Sequence, residues 1–340
     1  MLEVLNNVKF MPLFLTHCFG TLCDNLAKNI FVFLAAFFVQ GSVYWIATAF
    51  AFYGLAFLVT SLFFGSFADK YSKALIIRRL KLLEVCVMAL TLVSINFENR
   101  VMMLVCLTAF GFCSSAIRIV KYALLPELVS SKGWLSANAL LKGFSFVSAI
   151  LAMLMLYGLY ISTRSTLFVM GGALMVSSIL GYIFSLRLEN DKTFKSNTQI
   201  PVKPINFIKQ LSREVESNSA LKFYLTAIAW YWLLGSVIAF FALNFCKTVL
   251  MARSSVLVAG MLVFSAGFVV GSFLCPYLFE RKKMKGLMPI CAFALSIFFL
   301  DCLAASHVLP QAKVPYNIQE FLLLGINAYR FFFDIFMGAV

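Results

Sequence analysis

Charge is what this sequence has least of. Only 12% of its 340 residues are Asp, Glu, Lys or Arg, about half the share in a soluble globular domain. With 62% of the chain hydrophobic, that much apolar surface could not be covered in water. A soluble domain, a disordered chain, a collagen and a coiled coil are therefore excluded. Histidine is scarcer still: His17 and His307 stand far apart without metal-ligand spacing, so no metal site is expected. The nine cysteines form no C-x-x-C pair and lie mostly in apolar runs, where they read as small buried apolar residues. No ten-residue segments alternate as in an outer-membrane barrel. No small-residue cleavage site ends the apolar run after Lys9, so that run reads as a retained first span. There is no H-x-x-x-x-D acyltransferase motif, no G-x-S-x-G elbow and no phosphate-binding Gly-rich loop, so neither an enzyme nor a cofactor is expected.

What the chain has in quantity is apolar length. Its mean hydropathy is +0.93, and ten runs are long enough for a bilayer-crossing helix of about 20 residues. They cover 10–39, 43–67, 74–96, 101–125, 135–161, 165–186, 221–245, 254–279, 286–308 and 317–340. Lipid offers no water to satisfy backbone amides, so these spans should be helices. The formal net charge of +14 comes from 28 Lys plus Arg against 14 Asp plus Glu. It reads as cytoplasmic loops and not as a nucleic-acid surface. Lys70, Lys73, Arg78, Arg79 and Lys81 surround the second-to-third connection, and Arg281, Lys282, Lys283 and Lys285 the eighth-to-ninth, whereas the opposite connections are nearly bare. The N-terminus is therefore expected in the cytoplasm of a bacterial inner membrane.

The connection after span six is long and polar, and ends in INFIKQLSREVES with Ile205, Ile208, Leu211 and Val215 at helical spacing. An amphipathic surface helix is expected there. The fold class is thus an all-α polytopic membrane protein. It has a six-helix N-terminal bundle (1–186), a cytoplasmic linker (187–220) and a partial C-terminal bundle of about four helices (221–340). Gly65-Ser66-Phe67 in span two and Gly271-Ser272-Phe273 in span eight occupy matching places, as a duplicated unit would leave them.

Span two runs into Gly65-x-x-x-Asp69-Lys70-x-Ser72-Lys73. This resembles the cytoplasmic signature loop of the major facilitator superfamily, G-x-x-x-D-[RK]-x-[GS]-[RK]. Gly65 would permit close helix approach, Asp69 would accept from a helix N-terminus, and Lys70 and Lys73 would latch the two halves.

Ionisable groups at membrane depth cost several kcal/mol and mark pathways. Span one holds Asp24 and Lys28, which are i,i+4 and share a face. Span four holds Arg118 and Lys121, span five Asn138 and Lys142, and span ten Arg330 and Asp334. Bland readings stand beside these: a structural Asp24–Lys28 pair, snorkelling Arg118, Lys121 and Lys142, and a self-neutralised Arg330–Asp334 pair.

Three fragments narrow the resemblance: Phe19-Gly20-x-x-x-Asp24-Asn25-x-x-Lys28-Asn29, Val120 to Leu128, and Ala137-Asn138-Ala139-Leu140. With Arg330 to Phe336 they look like the lysophospholipid transporter branch, which includes forms fused to an acyltransferase and an acyl-carrier-protein ligase. The resemblance implies inward flipping of a lysophosphatidylethanolamine-like lipid by alternating access. Its partners would be membrane lipid and a separately encoded acyltransferase and ligase. The phosphate would meet Lys28, Arg118, Lys121 or Arg330, the ammonium Asp24, with Asn25, Asn138, Lys142 and Asp334 nearby. Lys142 stands where the branch usually has a glutamate. The family has twelve spans and this chain stops in the tenth, so a C-terminal truncation is expected. A facilitator of another small solute and a non-transporting remnant are the alternatives.

Overall fold

The computed structural model describes residues 2–38, 43–97, 99–131, 133–158, 163–189, 204–248, 250, 253–278, 287–308 and 316–340. Arg281, Lys282, Lys283 and Lys285, and most of the linker, lie outside them. So do the side chains of Asp69, Lys70 and His307. All ten expected runs are helical, the last in two pieces. Among the described residues, Arg100–Leu128, Trp134–Met155 and Ser255–Tyr277 are long and apolar enough, by length and composition alone, to cross a membrane.

The chain divides into two units, Met1–Ile208 and Lys209–Val340. The first contains α1 (Leu2–Leu5), α2 (Phe10–Phe38), α3 (Val43–Lys70), α4 (Lys73–Asn96), α5 (Arg100–Leu128), α6 (Trp134–Gly158) and α7 (Thr163–Ser185). The amphipathic segment forms α8 (Pro204–Ser217), across the boundary. In the first unit α2 packs on α6 and α7, α4 on α5 and α7, and α5 on α3.

The core of this unit is drawn from every layer. Cys23, Leu26, Ala27 and Ile30 of α2 meet Val87 and Met88 of α4, Met103, Leu107 and Phe110 of α5, and Met170 and Leu174 of α7. The opposite faces stay greasy: Leu82, Leu83, Leu90 and Val93 of α4 and Val176, Ile179 and Ile183 of α7 are exposed. In water that would be an aggregation hazard, whereas against lipid tails it costs nothing. Cys86 and Cys291 also lie on exposed faces, so the expectation that the cysteines are buried fails for these two. Hydropathy does not separate burial in protein from burial in lipid.

Polar ends are tied by local bonds. Asn99 caps α5 by accepting from the Met102 amide at 3.1 Å. Arg78 donates to the Ser185 carbonyl at 3.2 Å and to that of Leu188, so this cation closes the C-terminal end of α7. Gly111 of α5 permits a close crossing, since an added Cβ would lie 3.0 Å from the Tyr53 carbonyl oxygen of α3.

The second unit contains α9 (Ser219–Thr248), α10 (Ser254–Leu278), α11 (Leu287–Val308), α12 (Ile318–Leu322) and α13 (Ile326–Ala339). The single tenth span expected from sequence is corrected to a broken helix. It starts at an Asn317/Glu320 capping box, ends its first turn at Leu323, and turns at Gly325, whose φ is +83°. The 14-residue α13 is about 21 Å long at 1.5 Å per residue, short of the ~30 Å hydrocarbon core. Phe321, Phe331 and Phe332 pack edge to face across the break at 5.7–5.9 Å. On α10, an added Cβ at Gly267 would meet the Phe336 carbonyl oxygen at 2.5 Å and Ala339 Cβ at 2.7 Å. Backbones of α10 and α13 therefore touch at a small-residue contact.

Candidate functional site

The charged residues of α4 change meaning once placed. Lys81, expected among the loop cations, is corrected to a buried residue: it lies two turns inside α4, 2% exposed, beside Glu84 at 1%. Its Nζ donates to Oε1 at 2.8 Å and Oε2 at 2.9 Å. Room for it comes from two glycines on neighbouring helices. A Cβ at Gly20 of α2 would lie 2.7 Å from Lys81 Nζ, and one at Gly181 of α7 3.6 Å from it. The pair was legible as K-L-L-E at i,i+3 in an apolar run.

A second polar centre joins α2, α5 and α6. Lys121 of α5 is only 6% exposed. Its Nζ donates to His17 Nδ1 at 3.0 Å and lies 4.6 Å from the Tyr122 ring centroid. His17 Nε2 donates to the Leu141 carbonyl of α6 at 2.7 Å and meets Ser145 Oγ at 3.0 Å. Lys142, the next residue on α6, is 5.8 Å from the same Tyr122 ring. Thr21 and Ser148 pair their hydroxyls at 3.1 Å one turn deeper. Along their helices His17 and Lys121 sit about 10 Å from the nearer helix end.

Deeper still is Asp24, about 21 Å from the start of α2. Ser114 of α5 donates to its Oδ2 at 2.9 Å. The shared face of Asp24 and Lys28 does not become an ion pair: among the described residues no salt bridge joins them, and Lys28 lies 5.8 Å from the Tyr53 ring centroid. Asn25 turns back on its own helix and donates to the Thr21 carbonyl at 2.9 Å. Arg118 is exposed and lies 5.2 Å from the Phe57 ring centroid. Asn138 is exposed as well.

The signature segment gives a mixed result. Among the described residues no heavy atom lies within 4 Å of a Cβ added at Gly65. Lys73 forms an ion pair with Glu127 at the end of α5, inside its own unit. In the second unit the i,i+4 pair Arg330–Asp334 gives way to a pair between helices: Arg330 Nε donates to Asp301 Oδ2 of α11 at 2.8 Å, and a second guanidinium nitrogen donates to Oδ1. Asp334 is 4% exposed, and among the described residues its Oδ2 has no hydrogen-bond partner.

The structure therefore brings together Asp24, Lys121 and Lys142 of the expected residues, and adds His17, Lys81, Glu84 and Ser114. Lys121 and Lys142 both face the Tyr122 ring, at 4.6 and 5.8 Å from its centroid. Such an electropositive, partly apolar interior favours an anionic group that brings its own acceptors. His17 lacks metal-ligand spacing and so carries no signal in the sequence, and Asp301 carries none because no basic partner stands within a turn of it.

A family model described as Major Facilitator Superfamily matches residues 13–340. None of the curated proteins compared with the chain matches it.

Proposed function

The chain belongs to the Major Facilitator Superfamily, a family of secondary transporters, and on that premise we propose that it flips a lysophospholipid of the lysophosphatidylethanolamine kind by alternating access. One observation carries the choice of cargo. The Lys121 ammonium is 6% exposed, and its one protein hydrogen bond among the described residues goes to His17. An ammonium has three donors, so two remain for ligand oxygens. A phosphate fills them, while Asp24, held by Ser114 at 2.9 Å, suits the ammonium of the headgroup. Apolar outer faces on α4 and α7 suit an acyl tail.

In this reading the N-terminal six-helix bundle works with the C-terminal helices across an inner membrane, with the N-terminus in the cytoplasm. A separately encoded acyltransferase and ligase would reacylate the delivered lipid. The test is uptake of labelled lysophosphatidylethanolamine into spheroplasts. The native chain should exceed empty vector, and Lys121→Gln should lose roughly ten- to a hundredfold, the worth of a charged hydrogen bond of about 1.5–3 kcal/mol. Asp24→Ala should fall likewise. Native uptake at the vector level sinks the proposal, and stabilisation by small hydrophilic solutes with none by lysolipid would favour a different cargo.

A further inference from the structure

Resting on the transport reading above, we infer that His17 is the positioning residue that fixes the Lys121 ammonium and makes the N-terminal unit selective for a phosphate carried on a lipid. The polarity of the hydrogen bonds decides its role. The Leu141 carbonyl, 2.7 Å from Nε2, accepts and cannot donate, so the ring proton lies on Nε2. Ser145 spends its own hydroxyl proton on the same carbonyl at 2.8 Å and leaves its lone pairs toward the ring. Nδ1 is then an acceptor, and the group facing it at 3.0 Å is an ammonium, which only donates. Protons thus point one way, from Lys121 through His17 to the α6 backbone.

The consequence falls on Lys121. Its four-carbon stem has many rotamers, and holding it for a ligand costs ordering entropy unless the protein has already done so. One donor is consumed by His17, the Tyr122 ring flanks the charge at 4.6 Å, and the other two donors are left without a protein acceptor among the described residues. A phosphate has the acceptors to take both; a neutral lipid of the same tail length does not.

The experiment uses the full chain in lipid nanodiscs and compares binding of lysophosphatidylethanolamine with binding of a monoacylglycerol of the same tail, which lacks the phosphate. The native protein should prefer the lysolipid. His17→Leu should weaken the lysolipid about tenfold, the loss expected when a charged donor is no longer held in place, and leave the monoacylglycerol unchanged. His17→Gln presents an N–H donor and an oxygen acceptor on one amide, and should recover to within about threefold of native. Equal preference in native and His17→Leu overturns the assignment. So does equal loss of both lipids, which marks a merely structural bridge, or failure of His17→Gln to recover. Displacement of the lysolipid by micromolar inorganic phosphate would reassign the site to the free ion and overturn the lipid part. A native protein that binds no lysolipid at all removes the transport reading itself, a failure distinct from the others.

Discussion

Replacing Glu84 by Leu should be among the most damaging single changes in the N-terminal unit, and replacing its partner as well should undo most of the damage. Lys81 and Glu84 are 2% and 1% exposed and meet at 2.8 Å. At an effective dielectric of about 20, two unit charges at that distance attract by about 6 kcal/mol. Desolvating both ions offsets most of that gain. Removing the carboxylate alone forfeits the attraction and keeps the cost of the buried ammonium, so Glu84→Leu should lose about 3–5 kcal/mol. Lys81 has little room to withdraw, because its Nζ is wedged against Gly20 and Gly181. The double variant Lys81→Met with Glu84→Leu keeps similar volume and removes both charges, so it should fall within about 1 kcal/mol of native. Thermal unfolding in detergent reads the order of midpoints: native and double variant together, Glu84→Leu well below. A Glu84→Leu protein within about 0.5 kcal/mol of native, or a double variant as unstable as the single, would refute the reasoning.

Two further outcomes concern glycines, each measured by the same melting assay. Gly267→Val should cost about 1–3 kcal/mol by overpacking, because its Cβ meets α13 backbone at 2.5 Å, whereas Gly65→Ala, with no heavy atom of the described residues within 4 Å of its Cβ, should stay within about 0.5 kcal/mol; the reverse order would sink the packing argument. Gly325→Ala should cost about 1–2 kcal/mol for a side chain at φ +83°, and a stabilised Gly325→Ala protein would mean that the break between α12 and α13 is not required.

The helices were legible because apolar run length is a direct consequence of bilayer thickness, and nine of the ten expected runs are continuous helices within a few residues of their expected ends. The tenth was not: F-L-L-L-G-I is apolar throughout, and the turn rests on one glycine's backbone freedom, which hydropathy does not register. The site was half legible. Asp24 and Lys121 stand out as charges in greasy sequence. Their partners do not, because Ser114 lies 90 residues from Asp24 and His17 104 residues from Lys121 in the chain. Asn138 and Arg118 were equally prominent in sequence, yet their helices turn them to exposed faces. Position along a span is readable from one sequence; azimuth is not, unless the span's apolar moment is strong, and lipid-facing helices have little.

A carrier has to reshape its interior without losing the grip of one wall on the next. The Lys81 side chain, threaded from α4 past Gly20 of α2 and Gly181 of α7, acts as a pin through three staves. Sliding α2 by a turn along α7 would drag bulkier residues onto the ammonium and strip it from Glu84. The helix that bears His17 and Asp24 is therefore keyed to α4 and α7 at this one ammonium, and a change that frees Lys81 would loosen all three together.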